Sequence, residues 1–299
     1  VPHVADAQVL TSRDYSAAMN NFLDTDPPTG TEPPSSTPAV TFSSGGVTLL
    51  GVLHLPAGPG PHPIVVVLHG FPGTERNFDL AQALRRAGYA ALVCHYRGSW
   101  GMGGDWSWRH VLEDSAAVVA GVRAAGFAAQ HRLDPGRLAV VGHSLGGFAA
   151  LMTAAADPAV RAVASVAGFD FGTAAAAIAA DPVVRAGYVT DFGANLLPLR
   201  GTSGEALVAE LEVAGDRWRL AGLADRLADR PVLLIGTARD LEAPAAVHHD
   251  PLVEAYRAEP VPDLEDHVFP TDHALSDHRV ALARTVVDFL DRRLGNSTG

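Results

Sequence analysis

The sequence predicts an α/β fold: a mostly parallel sheet of eight strands flanked by helices, with a small helical cap. Two observations carry this prediction. From Ala39 onward, short apolar runs alternate with helix-length amphipathic stretches, the pattern of βα units. Between Gly172 and Arg230 that rhythm stops and alanine-rich, helix-prone sequence takes over. With 299 residues, 47% of them hydrophobic, the chain can bury one large core. An α/β domain of roughly 200–250 residues needs no second one.

Taken in order, residues 1–38 read as an extended arm. They end in Asp26-Pro27-Pro28-Thr29-Gly30-Thr31-Glu32-Pro33-Pro34-Ser35-Ser36-Thr37-Pro38, a composition that resists helix and sheet interiors. Residues 39–299 form the domain, with the cap inserted at about 173–230. The strands are expected at Ala39 to Phe42, Val47 to Leu55, Ile64 to Leu68, Ala90 to Cys94, Leu138 to Val141, Ala162 to Val166, Val232 to Ile235 and Leu264 to Phe269. Trp108, Val111, Leu112, Val118, Val119 and Val122 recur at helical spacing, which predicts a helix from Trp108 to about Ala125 packed on the sheet. Val280, Leu282, Ala283, Val286, Val287, Phe289 and Leu290 predict one broad apolar face on a closing helix.

Composition removes several chemistries. The balance of 33 acidic against 22 basic residues, net −11, repels a phosphate backbone and disfavours nucleic acid and anionic membrane surfaces as partners. All 22 basic residues are Arg, so neither a Schiff-base lysine nor a Ser-Lys pair is available. The single cysteine, Cys94, allows no intrachain disulfide and no cysteine zinc cage, and its apolar run reads as the setting of a buried, inert thiol. No apolar stretch reaches the roughly 20 residues that span a bilayer. The metal motif His-Glu-x-x-His, Gly-x-Gly-x-x-Gly and Gly-Lys-Ser/Thr are all missing, so the expected chemistry uses no metal and no cofactor.

The strongest motif is Leu138-Ala139-Val140-Val141-Gly142-His143-Ser144-Leu145-Gly146-Gly147, a buried-strand pattern, a Gly-flanked serine and a helix start. A sharp strand-to-helix turn exposes the serine Oγ, and small neighbours let the backbone make it. A serine hydroxyl is a weak nucleophile until a base takes its proton, so a carboxylate and a histidine are sought after later strands. Asp240 follows Pro231-Val232-Leu233-Leu234-Ile235-Gly236 and is the preferred acid; Glu242 and Asp170 are the alternatives. His273 lies in the loop between the last strand and the last helix and is the preferred base, with His278 its rival and His267 inside the strand. His248 and His249 read as solvated surface.

After Ile64-Val65-Val66-Val67-Leu68 comes His69-Gly70-Phe71-Pro72-Gly73. This turn is expected to bring the Phe71 N–H beside the Leu145 N–H as an oxyanion hole, each donor worth about 3–4 kcal/mol to a transition state. His69 reads as a structural brace. Phe71, Trp100 and His143 are the candidate pocket residues, Trp100 because its glycine-rich loop opens on the sheet edge that carries Ser144. Trp106 and Trp108 read as core.

On the motifs His69-Gly70-Phe71-Pro72-Gly73, Tyr96-Arg97-Gly98-Ser99, Gly142-His143-Ser144-Leu145-Gly146-Gly147, Asp240 and Asp272-His273, the chain resembles the α/β-hydrolase superfamily over Ala39 to Leu294. It is most similar to the branch containing the catalytic domain of prolyl oligopeptidases and dienelactone-hydrolase-like esterases. The resemblance implies the α/β-hydrolase fold, a triad of Ser144, Asp240 and His273, and Phe71 and Leu145 as oxyanion donors. Ser144 stands where dienelactone hydrolases have Cys, and the 38-residue arm leaves no room for the propeller of the oligopeptidases. The expected activity is therefore that of a carboxylesterase on small or medium esters through an acyl-enzyme. An amidase or small-peptide hydrolase is the alternative, and a non-catalytic binding module the least favoured.

Overall fold

The computed structural model of the protein describes residues 22, 23, 25, 26, 28 and 30–295. Eight strands form: β1 (Ala39–Ser44), β2 (Val47–His54), β3 (His62–Leu68), β4 (Ala90–Cys94), β5 (Leu133–His143), β6 (Ala162–Val166), β7 (Val232–Thr237) and β8 (Leu264–Phe269). They make one sheet in the order β1-β2-β4-β3-β5-β6-β7-β8. β2 pairs antiparallel with β1 and with β4; every other pairing is parallel. All eight lie where the apolar runs predict them, and the α/β-hydrolase topology is the one expected.

The helices are α1 (Phe78–Arg86), α2 (Trp108–Val122), α3 (Ala125–Gln130), α4 (Leu145–Ala156), α5 (Phe171–Ala180), α6 (Pro182–Ala194), α7 (Gly204–Ala214), α8 (Ala224–Leu227), α9 (Ala245–His248), α10 (Asp250–Ala258) and α11 (Arg279–Leu294). Short 3-10 turns at Gly215–Trp218 and Leu220–Leu223 join α7 to α8. The central strands are buried on both faces, and successive side chains feed opposite cores. Ile64, Val66, Leu138 and Val140 enter the core under α2 and α4; Val65, Val67, Ala139 and Val141 enter the one under α1 and α11. Of the face predicted for α11, Leu282, Ala283, Val286, Val287, Phe289 and Leu290 are buried. Val280 is exposed, because it falls in the first turn, before the helix settles on the sheet.

Between β6 and β7, the stretch where strand rhythm stops, the chain runs through α5 to α8. Residues 1–21 of the predicted arm lie outside the described residues. Its end lies on the domain: Ser36 and Leu55 exchange backbone hydrogen bonds of 3.1 and 2.8 Å. Beyond β4, Arg97 is held by a buried ion pair, Nε to Asp114 Oδ1 at 2.6 Å, while its own N–H donates to Asp114 Oδ2 at 2.8 Å. Removing one partner of such a pair strands a buried charge, at about 3–5 kcal/mol. The pair therefore pins the loop that follows β4 to α2.

Candidate active site

The turn from β5 into α4 puts Ser144 at φ 58° and ψ −121°, a region that a residue with a side chain occupies only under constraint. The constraint comes from its neighbours. The Ser144 N–H donates to the Val166 carbonyl at 2.8 Å. A Cβ on Gly142 would stand 1.9 Å from the Gly146 carbonyl oxygen, and one on Gly146 would stand 2.0 Å from that of Leu68. Backbone therefore touches backbone on both sides of the turn, and only glycine fits. α4 starts at Leu145, with its N-terminal amides and the positive end of its dipole at Ser144.

Asp240 follows β7 and is buried. Its Oδ1 accepts the N–H groups of Glu242 and Ala243, each at 2.8 Å; its Oδ2 accepts the Thr237 hydroxyl and His273 Nδ1–H, each at 2.7 Å. Burial pushes this carboxyl up, but the His273 hydrogen bond and charge, with the Ala243 and Thr237 donors, outweigh it and hold the pKa down to about 2. The loop after β8 is zipped to the loop after β7, since Ala238 N–H donates to Phe269 O at 2.8 Å and Arg239 N–H to Thr271 O at 2.9 Å. That pairing sets Asp240 and His273 side by side.

His143, next to Ser144 in the chain, ties the histidine loop to the turn. Its Nε2–H donates to the His273 carbonyl at 2.8 Å, and the two rings lie 4.9 Å apart. Burial, then the neighbouring His273, lowers the His143 pKa to about 4, so the ring is neutral. Among the described residues Ser144 Oγ makes no hydrogen bond, and His273 Nε2 faces Glu242 Oε2 at 3.6 Å. Hydrogen bonds of this kind are often loose before substrate binds.

The turn after β3 closes the other side. A Cβ on Gly70 would stand 3.0 Å from Ser144 Cβ, so this turn abuts the serine. The backbone N–H groups of Phe71 and Leu145 donate to no other group among the described residues, and both residues line the same cavity as Ser144. His69 braces the turn from within. It is fully buried, its Nδ1–H donates to Gly70 O at 2.8 Å, and burial drives its pKa down to about 3.

The cavity over Ser144 holds about 400 Å3, within the range of small-molecule sites. Six rings wall it: Phe71, Trp108, Phe169, Phe171, Tyr188 and Phe192. Tyr188 and Phe192 come from α6, inside the predicted cap segment, and Asp191 and Glu242 are the charged lining residues. Among the described residues no group of three or more His, Cys, Asp or Glu could hold a metal ion. No helix among them is long and apolar enough to cross a membrane.

The structure brings Ser144, Asp240, His273, Phe71 and Leu145 to one end of the sheet and corrects several other expectations. Trp100 does not line the cavity: its indole N–H donates to Pro72 O at 2.9 Å and Arg76 covers its ring at 4.7 Å, so it props the turn after β3. His143 lies behind Ser144, outside the cavity wall, because its ring is spent on the His273 carbonyl. Trp108 is fully buried, as its apolar spacing implies, and borders the cavity from behind. His248 and His249 are buried, not solvated; His248 stacks on Phe169 at 4.4 Å and its Nδ1 accepts the Asp170 N–H at 3.0 Å. Asp170 is occupied elsewhere, capping α5 through Thr173 N–H at 3.0 Å and accepting from Leu220 N–H at 3.2 Å. His278 pairs with Asp277 at 2.8 Å, and His267 is exposed on β8. Phe169, Phe171, Tyr188 and Phe192 were not among the residues expected at the site, although Tyr188 and Phe192, four apart on α6, share one helix face and are a usable signal.

The Alpha/beta hydrolase family model matches residues 65–293, and the chain belongs to that family. Over 139 residues it is 40% identical to a Fusarium protein named Hydrolase LUC6, a match that covers 40% of this chain and 30% of that protein. The chain thus spans under a third of that relative's length. Its fold is similar to an esterase of Pyrococcus furiosus, with a TM-score of 0.64 and 18% identity over 87% of this chain and 92% of that one. It is also similar to the acylaminoacyl peptidase of Pyrococcus horikoshii, with a TM-score of 0.65 and 16% identity over 90% and 43%.

Proposed function

We propose that the protein is a serine hydrolase that cleaves carboxylic esters of small or medium size through an acyl-enzyme. The observation that carries this reading is the hydrogen-bonded pair of Asp240 and His273, tied through His143 to the strained turn that presents Ser144. His273 Nε2 takes the Ser144 proton as Oγ attacks the ester carbonyl. Asp240 holds the ring with its proton on Nδ1 and stabilises the imidazolium that forms. The Phe71 and Leu145 N–H groups receive the oxyanion, helped by the N-terminus of α4. His273 then gives its proton to the departing alcohol, and water repeats the cycle on the acyl-Ser144 ester. An ester is favoured over a peptide because six aromatic rings wall the cavity, a setting that suits an apolar acyl group.

The test is Ser144→Ala against wild type with 4-nitrophenyl acetate and butyrate, alongside labelling by a fluorophosphonate. Turnover and labelling are both expected to vanish in the variant. Wild-type turnover in Ser144→Ala overturns the reading. A matched ester and anilide decide the bond type, with the ester expected to be cleaved much faster at equal acyl group.

A further inference from the structure

The cavity is graded from its floor to its mouth, and the grading bears on what it binds. Trp108, Phe171 and Phe192 are buried, whereas Asp191 is exposed, Leu241 is 93% exposed and the Glu242 side chain 73%. The rings interlock: Trp108 lies 5.0 Å from Phe71, 5.2 Å from Phe192 and 4.8 Å from Phe171, and Phe171 lies 4.9 Å from Phe169. Most meet at tilted or edge-on angles, an arrangement that also leaves ring faces for a further ring to pack against. The Trp108 indole N–H is given to Leu207 O at 3.1 Å, so the buried indole is fixed in place as a backing for the rings in front of it.

The two ends serve different halves of an ester. The leaving alcohol must lie where His273 Nε2 can protonate it, and that atom faces Glu242 at the mouth. The acyl group, attached to Ser144 with its oxyanion on Phe71 and Leu145, is left the aromatic interior. No Arg lines the cavity, so nothing among its lining residues offsets Asp191 and Glu242. Resting on the serine-hydrolase reading above, we infer that the preferred substrates are esters of aryl-bearing carboxylic acids with a neutral or cationic alcohol portion. The two mouth carboxylates disfavour alcohols that carry a free carboxylate. Because both carboxylates are solvated, their repulsion is modest and salt-sensitive.

The experiment compares 4-nitrophenyl 3-phenylpropanoate with 4-nitrophenyl hexanoate, and each with its 3-carboxy-4-nitrophenyl counterpart. Every kcat/KM is divided by the rate of alkaline hydrolysis of the same ester. The phenylpropanoate is expected to exceed the hexanoate about tenfold, the scale of one added aromatic contact, and Phe192→Ala is expected to shrink that ratio. The carboxylated leaving group is expected to lower kcat/KM roughly threefold to tenfold at low salt. Glu242→Gln, Asp191→Asn or 1 M salt should narrow that gap. Equal or faster hexanoate cleavage by an enzyme that still takes up fluorophosphonate at Ser144 overturns the aromatic assignment and leaves the hydrolase standing. An unchanged rate with the carboxylated leaving group overturns the charge selection. Failure of folded protein to be labelled overturns the underlying reading instead.

Discussion

Replacing Asp240 by Asn isolates what its four hydrogen bonds do. In the wild type Oδ1 receives two backbone N–H groups, and Oδ2 receives the Thr237 hydroxyl and His273 Nδ1–H. An Asn side chain keeps the shape but has one oxygen and one NH2. Turning the NH2 toward Glu242 and Ala243 would set donor against donor twice in a buried site, at about 1–3 kcal/mol for each unsatisfied group. The oxygen therefore stays on the backbone and the NH2 faces His273. A donor facing Nδ1 forces the ring proton onto Nε2, the nitrogen that must accept the Ser144 proton. A wrong tautomer of this kind lowers kcat roughly 10,000-fold, or about 5.4 kcal/mol. The assay is kcat on 4-nitrophenyl butyrate at pH 7.5, with a thermal melt to show that the variant remains folded. Folded Asp240→Asn that loses less than tenfold refutes the assignment and directs attention to Glu242, whose Gln variant is otherwise expected to lose under a hundredfold.

Two further perturbations test the scaffold. His69 and His143 are buried with pKa values held down to about 3 and about 4, against 6.5 for the free side chain. Protons therefore bind the unfolded chain more readily, and stability falls as pH drops below about 6.5 until the folded values are reached. From pH 7 to pH 5 the pair is expected to remove about 2–4 kcal/mol, read by urea unfolding, with His143→Gln losing less over the same range. A level profile in wild type contradicts the buried-neutral assignment. Gly146→Ala drives a Cβ to 2.0 Å from the Leu68 carbonyl oxygen, a backbone atom that has nowhere to move, and should cost more than about 4 kcal/mol. Gly187→Ala on α6, with nothing within 4 Å, should instead match wild type or gain up to about 1 kcal/mol. Equal denaturation midpoints for the two variants would show that the turn is less tightly packed than these distances say.

The site was legible in proportion to how local its signals are. Ser144 announces itself because a strained turn needs small residues within two positions, and Gly142 and Gly146 supply them in the same short window. Asp240 and His273 follow because each comes directly after a strand whose apolar run is visible. His248 and His249 misled because adjacent polar residues resemble surface, yet Phe169 and the Asp170 N–H, some eighty residues away in the chain, bury the first of them. Trp100 misled for the opposite reason: a glycine-rich aromatic loop looks like a pocket wall, while Pro72 O and Arg76 had already taken its ring.

Strand positions, the order of the elements and the turn that carries Ser144 depend on side-chain alternation and backbone sterics within about ten residues, and these the sequence by itself determined. Which face of each buried side chain meets which partner depends on chain segments tens of residues to more than a hundred apart, and only the tertiary structure decided it. The reassigned role of His143 is the clearest case. Its place beside Ser144 suggested a pocket residue, but the β8–α11 loop brings the His273 carbonyl to 2.8 Å from its Nε2 across 130 residues of sequence. A buried donor goes to the nearest acceptor that desolvation leaves it, and that acceptor exists only once the sheet has closed. The aromatic cavity has the same origin, since α6 supplies Tyr188 and Phe192, the strand ends supply Phe71 and Phe169, and nothing within either segment names the other.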